Sequence, residues 1–222
     1  MPRSTELDLR CYFVTGSGEP QQIVDTARAA AMGGAGMIQV RSKPISARGL
    51  YELTARVTAE VHAVAPEAKV LVDDRVNVAA ALINEGHHVH GVHIGQDDLP
   101  VPSARALLGP DAVIGLTTGT LELIEAANQH AEVLDYVGCG PFRATPTKDS
   151  GRTPLGLQGF APIVAECAVP VVAIGDVTKD DAADLAAVGV DGLAIVRGIM
   201  HAQDPEEYVR SVIAGFEAGR VR

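Results

Sequence analysis

Eight short apolar segments recur along the chain, and each ends in a polar or glycine-rich turn. They occupy residues 9–15, 37–41, 69–73, 91–95, 112–117, 135–140, 169–175 and 192–197. Alanine-rich segments with helical apolar spacing, such as 22–34, lie between them. Short, nearly continuous apolar strands are typical of a parallel sheet buried on both faces. The alternation predicts a single (β/α)8 TIM barrel over residues 1–222, and an open doubly wound sheet is the alternative.

Composition narrows the class of protein. The 222 residues are 47% hydrophobic, which is ample for a core, and the formal net charge is -10. No basic stripe is present, so we expect no nucleic-acid or membrane-surface partner. The charged N-terminal residues 1–10 have no apolar signal core, and no run of about 18 apolar residues suggests a membrane span. A cytoplasmic location is expected, with three reduced cysteines that lack CxxC spacing.

Three polar side chains alternate along the second predicted strand: Gln39, Arg41 and Lys43. Alternate strand residues share one face, and the inward face of a barrel is normally apolar. Two cations there are costly unless they meet a ligand or a partner. The pattern favours an anion site. The alternative is that Arg41 and Lys43 pair with carboxylates of the barrel.

Aspartates follow the next two predicted strands. Asp74 comes directly after the third strand and Asp98 follows the fourth. Close carboxylates repel one another unless a cation lies between them, and Mg²⁺ favours one or two carboxylates together with phosphate oxygens. Either aspartate could instead cap a helix or a turn. Together with the basic groups of the second strand, the pair predicts a magnesium–diphosphate clamp.

Residues 136–156 end a predicted strand in a loop of glycines, hydroxyl groups and a lysine. Its glycines let the backbone approach a ligand, its threonines offer hydroxyls, and Lys148 offers charge. The turns after the last two predicted strands, at 175–176 and 196–198, lie where barrels often bind a phosphate. We therefore expect a second anion pocket between these turns.

A histidine cluster, His87, His88, His90 and His93, raises the question of a transition metal. His87 and His88 precede the fourth predicted strand, so they are expected at the opposite end of the barrel from the clamp. His93 falls within the strand. No single face collects three of them, so a packed, hydrogen-bonded role is favoured over a zinc site.

These motifs together resemble the thiamine-phosphate synthase family. The family shows a Gln-Leu-Arg-x-Lys strand, an Asn-Asp-Arg turn, a Gly-x-His-x-Gly-Gln-x-Asp-Leu segment and a Gly-Pro…Thr-x-Thr-Lys loop. This chain has "QVRSK" at 39–43, "DDR" at 73–75, "GVHIGQDDLP" at 91–100 and "GPFRATPTK" at 140–148. The motifs occur in the same order, and the likeness spans nearly the whole chain.

The resemblance implies a transferase that condenses 4-amino-2-methyl-5-(diphosphomethyl)pyrimidine with a thiazole phosphate, releasing pyrophosphate. It implies that the catalytic cations are Arg41, Lys43 and Lys148. It implies that the pyrimidine diphosphate is held by Gln39, Arg41, Lys43, Asp73, Thr117 and Lys148. It implies that the thiazole phosphate is held by Thr145, Thr147, Gly175, Val196 and Arg197, and the cofactor Mg²⁺ by Asp74 and Asp98. The expected partners are these two small molecules, and a homo-oligomer is left open.

Four positions depart from the family pattern. Asp73 replaces an asparagine, Thr117 a serine and Asp176 a glycine, and Arg197 stands where serine is usual although arginine is also familiar there. We expect the Asp176 side chain to turn toward Arg197 or to cap the next helix, because the two departures bring opposite charges to one rim. The alternatives are a thiazole tautomerase-like paralogue, a non-catalytic phosphate-ester binding barrel and a sugar-phosphate isomerase. The first and last of these do not account for the clamp of Asp74, Asp98, Arg41 and Lys148.

Overall fold

The computed structural model describes residues 7–144 and 151–221. Within them, eight parallel strands follow one another around a closed barrel. The strands are Tyr12–Val14 (β1), Met37–Val40 (β2), Lys69–Asp73 (β3), Gly91–Ile94 (β4), Val113–Thr118 (β5), Tyr136–Cys139 (β6), Val171–Ala173 (β7) and Gly192–Ile195 (β8). Tyr12 of β1 lies beside Met37 of β2 and Ala194 of β8, which closes the barrel. The predicted (β/α)8 barrel is confirmed, and the open sheet is excluded.

Helices alternate with the strands and cover the outside of the barrel. They are Pro20–Met32 (α1), Ala47–Val64 (α2), Val76–Asn84 (α3), Val101–Leu108 (α4), Leu121–Asn128 (α5), Gly156–Glu166 (α6), Ala182–Val188 (α7), Arg197–Met200 (α8) and Pro205–Arg220 (α9). Helix α9 begins as the sequence predicts, since the Asp204 side chain accepts a hydrogen bond from the Glu207 backbone N–H at 3.0 Å. In the described part of the chain, no helix combines the length and apolarity that crossing a membrane requires.

Six of the eight strands are shorter than the apolar segments that predict them, and β1 and β7 are shortened most. Strand β1 covers three residues of 9–15, and β7 covers three of 169–175. Leu9 lies outside β1 but is only 4% exposed, and its carbonyl accepts a hydrogen bond from Leu193 at 3.1 Å. An apolar pattern reports burial, and burial extends beyond the hydrogen-bonded strand.

The strand side chains divide between two cores. Outward-facing side chains, such as Ile38 and Val40 of β2, pack beneath the helices. Inward-facing side chains fill the barrel with Leu9, Tyr12, Val14, Met37, Leu71, Val113, Tyr136, Val172 and Ala194. Because alternate residues share a face, Gln39 and Arg41 follow Met37 toward the barrel axis. Polar inward positions near the carboxyl ends therefore lie above an apolar floor.

Candidate active site

A cavity of about 660 Å³ opens at the carboxyl ends of the strands. Residues from all around the barrel line it, as expected for this fold. Those that the sequence singled out are Arg41, Lys43, Asp74, His93, Asp98, Thr117, Gly175, Asp176, Val196 and Arg197. Parallel strands carry their C-terminal residues to one mouth, so positions far apart in the chain meet there.

Lys43 lies between two neighbouring carboxylates. Its Nζ is 3.3 Å from Asp73 Oδ2 and forms a shorter ion pair with Asp74 Oδ2. Arg41 Nε is 3.8 Å from the same Asp73 oxygen. Burial by itself lowers the pKa of Lys43, but the carboxylates of Asp74 and Asp73 outweigh it and raise that pKa. The lysine therefore stays charged beside the cavity.

Asp73 is the most buried acid of this cluster, with a relative exposure of 7%. Burial, and then the neighbouring Asp74 charge, raise the pKa of Asp73 to about 6, although Lys43 and Arg41 oppose the shift. Gln39, only 3% exposed, donates a hydrogen bond from Nε2 to Asp73 Oδ1 at 2.5 Å. Both residues lie beneath the lining of the main cavity, and Asp73 borders a smaller recess that it shares with Asp74 and Asp98.

Asp74 does not cap the helix that follows it. Helix α3 begins after Arg75 without a side-chain cap, and Asp74 adopts a left-handed backbone conformation with φ of 56°. Aspartate tolerates this conformation better than most residues. The conformation leaves the carboxylate paired with Lys43 at the cavity instead of with the helix N-terminus.

Asp98 has the turn-stabilising role that the sequence allows, and it also lines the cavity. Its Oδ2 accepts a hydrogen bond from the Gly95 N–H at 2.7 Å, as a turn-stabilising residue would. Burial raises the pKa of Asp98, and so does the Asp74 carboxyl group beside it, although the Gly95 hydrogen bond acts in the other direction. Among residues 7–144 and 151–221, no group of three or more His, Cys, Asp or Glu side chains is arranged to hold a metal ion.

Asp176 and Arg197 pair across the rim, as the sequence predicts. Arg197 Nη2 donates to Asp176 Oδ1, and both residues line the cavity. Asp176 has φ of 58°, so this aspartate adopts the left-handed conformation that a glycine would allow. The Asp176 carbonyl accepts a hydrogen bond from Arg143 Nη1 at 3.1 Å, and Arg143 also pairs with Asp181. Arg197 therefore holds the Asp176 carboxylate at the rim of the cavity.

The remaining predicted residues, Thr145, Thr147 and Lys148, lie outside the described residues. Arg152, four positions after Lys148, was missed by sequence reasoning. Its Nη1 donates to the Thr118 carbonyl at 2.9 Å, and the side chain lines the cavity. Gln96 belongs to the motif at 91–100 but was assigned no role, and it donates to the Thr117 carbonyl at 2.6 Å. The sequence signal for Arg152 is its proximity to the loop that follows β6.

Fold and site together define a (β/α)8 barrel whose cavity is lined by cationic side chains and carboxylates. A family model for thiamine monophosphate synthase matches residues 11–199. The thiamine-phosphate synthase of Corynebacterium efficiens is 63% identical over 96% of this chain and 97% of its own, and that of Corynebacterium jeikeium is 61% identical over 99% and 100%. The solved thiamine phosphate pyrophosphorylase of Pyrococcus furiosus superposes with a TM-score of 0.80 at 30% identity, over 96% of this chain and 98% of that one.

The chain therefore belongs to the thiamine monophosphate synthase family. The resemblance predicted from the four sequence motifs is confirmed.

Proposed function

We propose that the protein condenses 4-amino-2-methyl-5-(diphosphomethyl)pyrimidine with a thiazole phosphate to give thiamine phosphate and pyrophosphate. The observation that carries the proposal is the cluster of Arg41, Lys43, Asp74 and Asp98, which faces the same cavity as Thr117 and Arg197. Family membership supports the same reaction. A tautomerase or an isomerase would have no use for a diphosphate clamp.

Arg41 and Lys43 fit the diphosphate end of the first substrate. The bond from the substrate methylene carbon to the diphosphate oxygen breaks, and pyrophosphate leaves with the electron pair. Cationic side chains that face the leaving group neutralise its developing charge, which lowers the barrier. We assign the same role to Lys148. The substrate amino group stabilises the resulting pyrimidinylmethyl cation, so the reaction requires no protein nucleophile.

The thiazole phosphate fits the opposite side of the cavity. Gly175, Val196 and Arg197 follow β7 and β8, where barrels commonly bind phosphates. Together with Thr145 and Thr147, they would hold the thiazole so that its ring nitrogen attacks the methylene carbon and forms the new C–N bond. Positioning of the two substrates supplies the rest of the rate enhancement.

We further propose that Asp74 and Asp98 bind Mg²⁺ jointly with the diphosphate. Two close carboxylates, one with a pKa raised by the other, fit a divalent cation whose remaining ligands are phosphate oxygens and waters. Lys43 holds Asp74 by an ion pair at the same place. When bound, Mg²⁺ would neutralise leaving-group charge.

The test is to incubate the purified protein with both substrates and Mg²⁺ and to measure thiamine phosphate and pyrophosphate by chromatography. Equal amounts of the two products are expected, and none without the thiazole phosphate. Chelator should abolish turnover, and added Mg²⁺ should restore it. Absence of thiamine phosphate under complete conditions would refute the reaction. Undiminished turnover in chelator would refute only the metal.

A further inference from the structure

A continuous set of hydrogen bonds crosses the inside of the barrel below the cavity. It begins at Asp73, whose Oδ1 accepts from Gln39 Nε2 at 2.5 Å. The Gln39 Oε1 accepts from the Tyr12 hydroxyl at 3.0 Å. The Tyr12 and Tyr136 hydroxyl oxygens are 2.8 Å apart. These contacts link strands β3, β2, β1 and β6.

The set continues to the cavity wall. The Tyr136 hydroxyl is 2.9 Å from His93 Nδ1, and His93 Nε2 is 3.0 Å from Thr117 Oγ1. Thr117 lines the cavity. One hydrogen-bonded path, the Asp73–Thr117 relay (Asp73, Gln39, Tyr12, Tyr136, His93 and Thr117), therefore joins the cation cluster to the cavity wall at β5.

The barrel is shaped to hold this relay. A Cβ added to Gly115 of β5 would lie 2.1 Å from the Tyr136 ring, and one on Gly138 of β6 would lie 2.9 Å from the His93 ring. Both inward positions must therefore be glycine for the two rings to fit. Tyr12 and Tyr136 are at most 1% exposed, so their hydroxyls have no access to bulk water. Partners within the relay are what satisfy them.

Proton counting gives the relay a direction. A carboxylate only accepts hydrogen bonds, so Gln39 must present its amide NH₂ to Asp73 and its oxygen to Tyr12. The single Tyr12 proton then goes to Gln39, and the Tyr12 oxygen must accept from Tyr136. The Tyr136 hydroxyl donates its single proton to the Tyr12 oxygen. The Tyr136 oxygen must therefore accept a hydrogen bond from His93 Nδ1.

The same counting continues to the cavity. His93 must carry its proton on Nδ1, and in the neutral imidazole Nε2 then accepts. The Thr117 hydroxyl donates its only proton to His93 Nε2. Its oxygen is left to present lone pairs, and no proton, to the cavity.

We propose that the Asp73 carboxylate sets this direction and so makes the Thr117 hydroxyl an acceptor-only group that selects the amino group of the pyrimidine substrate. Asp73 is a positioning residue here, acting through four side chains. An asparagine at position 73 could donate as well as accept, and the direction would no longer be imposed. The identity of the ligand in this inference rests on the proposed function. The direction of the relay is independent of that function.

The first test is the tautomer of His93 in the protein without substrates, from ¹⁵N chemical shifts of histidine-labelled protein at pH 8. His93→Gln assigns the signals. In water the Nε2–H tautomer is the more populated, so an Nδ1–H tautomer reports the relay. We expect Nδ1–H at His93 in the unsubstituted protein. An Nε2–H or a doubly protonated His93 would overturn the inference.

Two variants test the origin of the direction. Tyr12→Phe frees the Tyr136 proton to turn to His93 Nδ1, and Asp73→Asn removes the acceptor-only group. Both should shift His93 toward Nε2–H, whereas Tyr51→Phe, which removes a tyrosine hydroxyl at the surface, should not. A His93 tautomer that stays unchanged in Tyr12→Phe and Asp73→Asn would show that Asp73 does not set the direction.

The second test is binding of the pyrimidine diphosphate and of its 4-oxo analogue by calorimetry, without the thiazole phosphate. The analogue places an acceptor against the Thr117 lone pairs, and we expect it to bind about 10- to 100-fold more weakly. Tyr12→Phe should reduce this preference, and equal discrimination in the variant would contradict the selective role. If no thiamine phosphate forms in the assay above, the proposed function fails, while the tautomer result stands independently.

Discussion

The two ends of the barrel both carry ionisable side chains, but these side chains have different partners. At the carboxyl ends, Lys43, Asp73 and Asp74 contact one another beside an open cavity. At the amino ends, Arg105 and the histidines bond mainly to backbone groups. The first arrangement can exchange its partners for a ligand, whereas the second completes the hydrogen bonding of the strands.

Arg105 shows how the amino end is built. Its guanidinium donates to the carbonyls of Val133, Gly109, Pro110 and Ala112, and forms an ion pair with Asp135 at 2.6 Å. Asp135 also accepts from the Ile114 N–H at 2.7 Å. Both side chains are less than 9% exposed. The pair ties together the loops that precede β5 and β6.

The histidines at this end follow the same rule. His88 Nε2 lies 3.0 Å from the Ala68 carbonyl, and His90 Nδ1 accepts from the Val70 N–H at 3.2 Å. Burial, and then the neighbouring His88, lower the pKa of His90 to about 4. His90 is therefore neutral at pH 7, and its contacts are structural. A packed, hydrogen-bonded role, as favoured from the sequence, agrees with these contacts.

The difference teaches that a buried charge indicates function only when its partners leave it accessible to a ligand. Substitutions at the amino end of the barrel should therefore lower stability and leave turnover unchanged. Substitutions at the carboxyl end should lower turnover and leave stability nearly unchanged. The following substitutions test that division.

Arg105→Met should have the largest effect. It leaves the buried Asp135 without its cation, and breaking such a pair typically costs about 3–5 kcal/mol of unfolding free energy. Denaturant unfolding measures the loss, and turnover of the molecules that remain folded should be unchanged. Arg28→Met is the matched control, since its ion pair with Glu60 is exposed and should contribute less than about 1 kcal/mol. If Arg105→Met lost turnover but kept its full stability, the division between the two ends of the barrel would be wrong.

Asp74→Asn should lower turnover by about 10²- to 10³-fold, because it removes a carboxylate that we propose holds Mg²⁺ against the leaving diphosphate. Asparagine is nearly isosteric and tolerates the left-handed backbone at this position, so the melting temperature should hardly change. Asp25→Asn on α1 controls for loss of a surface carboxylate. Retention of wild-type turnover would remove Asp74 from the clamp.

Arg197→Ser should weaken thiazole phosphate binding by roughly 10- to 100-fold, on the scale of a lost charge-assisted contact. The effect should be smaller in an Asp176→Gly background, because Arg197 then no longer screens the aspartate. A double-mutant cycle on thiazole phosphate affinity measures the coupling. Strictly additive effects would show that the ion pair does not serve the phosphate pocket.

His90→Gln should have the smallest effect, and only in acid. The unfolded chain protonates His90 near its usual pKa of 6.5, whereas the folded protein does so at about 4. The stability that depends on neutral His90 is therefore complete above pH 6.5 and is lost as pH falls toward 4. Between these pH values the wild type should lose stability more steeply than His90→Gln, and His201→Gln at the surface should behave like the wild type. Parallel pH profiles for wild type and His90→Gln would contradict the assignment.

The amino-acid sequence by itself determined the barrel and most of the cavity lining. Eight apolar segments alternating with helical ones specify a parallel barrel, and its topology brings every strand end to one mouth. Lys43, Asp74, Asp98 and Arg197 could therefore be placed together without knowing a single contact. The pairing of Asp176 with Arg197 was also predictable, because opposite charges followed adjacent strands.

Only the tertiary structure decided which side chains meet across the barrel. Tyr12 and Tyr136 are 124 positions apart, and their contact depends on strand register and on the space left by Gly115. Arg105 and Asp135 likewise meet because two loops converge at the amino end. Strand order follows from short-range pattern, whereas contacts through the barrel depend on the stagger of all eight strands and on side-chain volume. Neither the stagger of the strands nor the packing of side-chain volumes can be predicted from a local stretch of sequence.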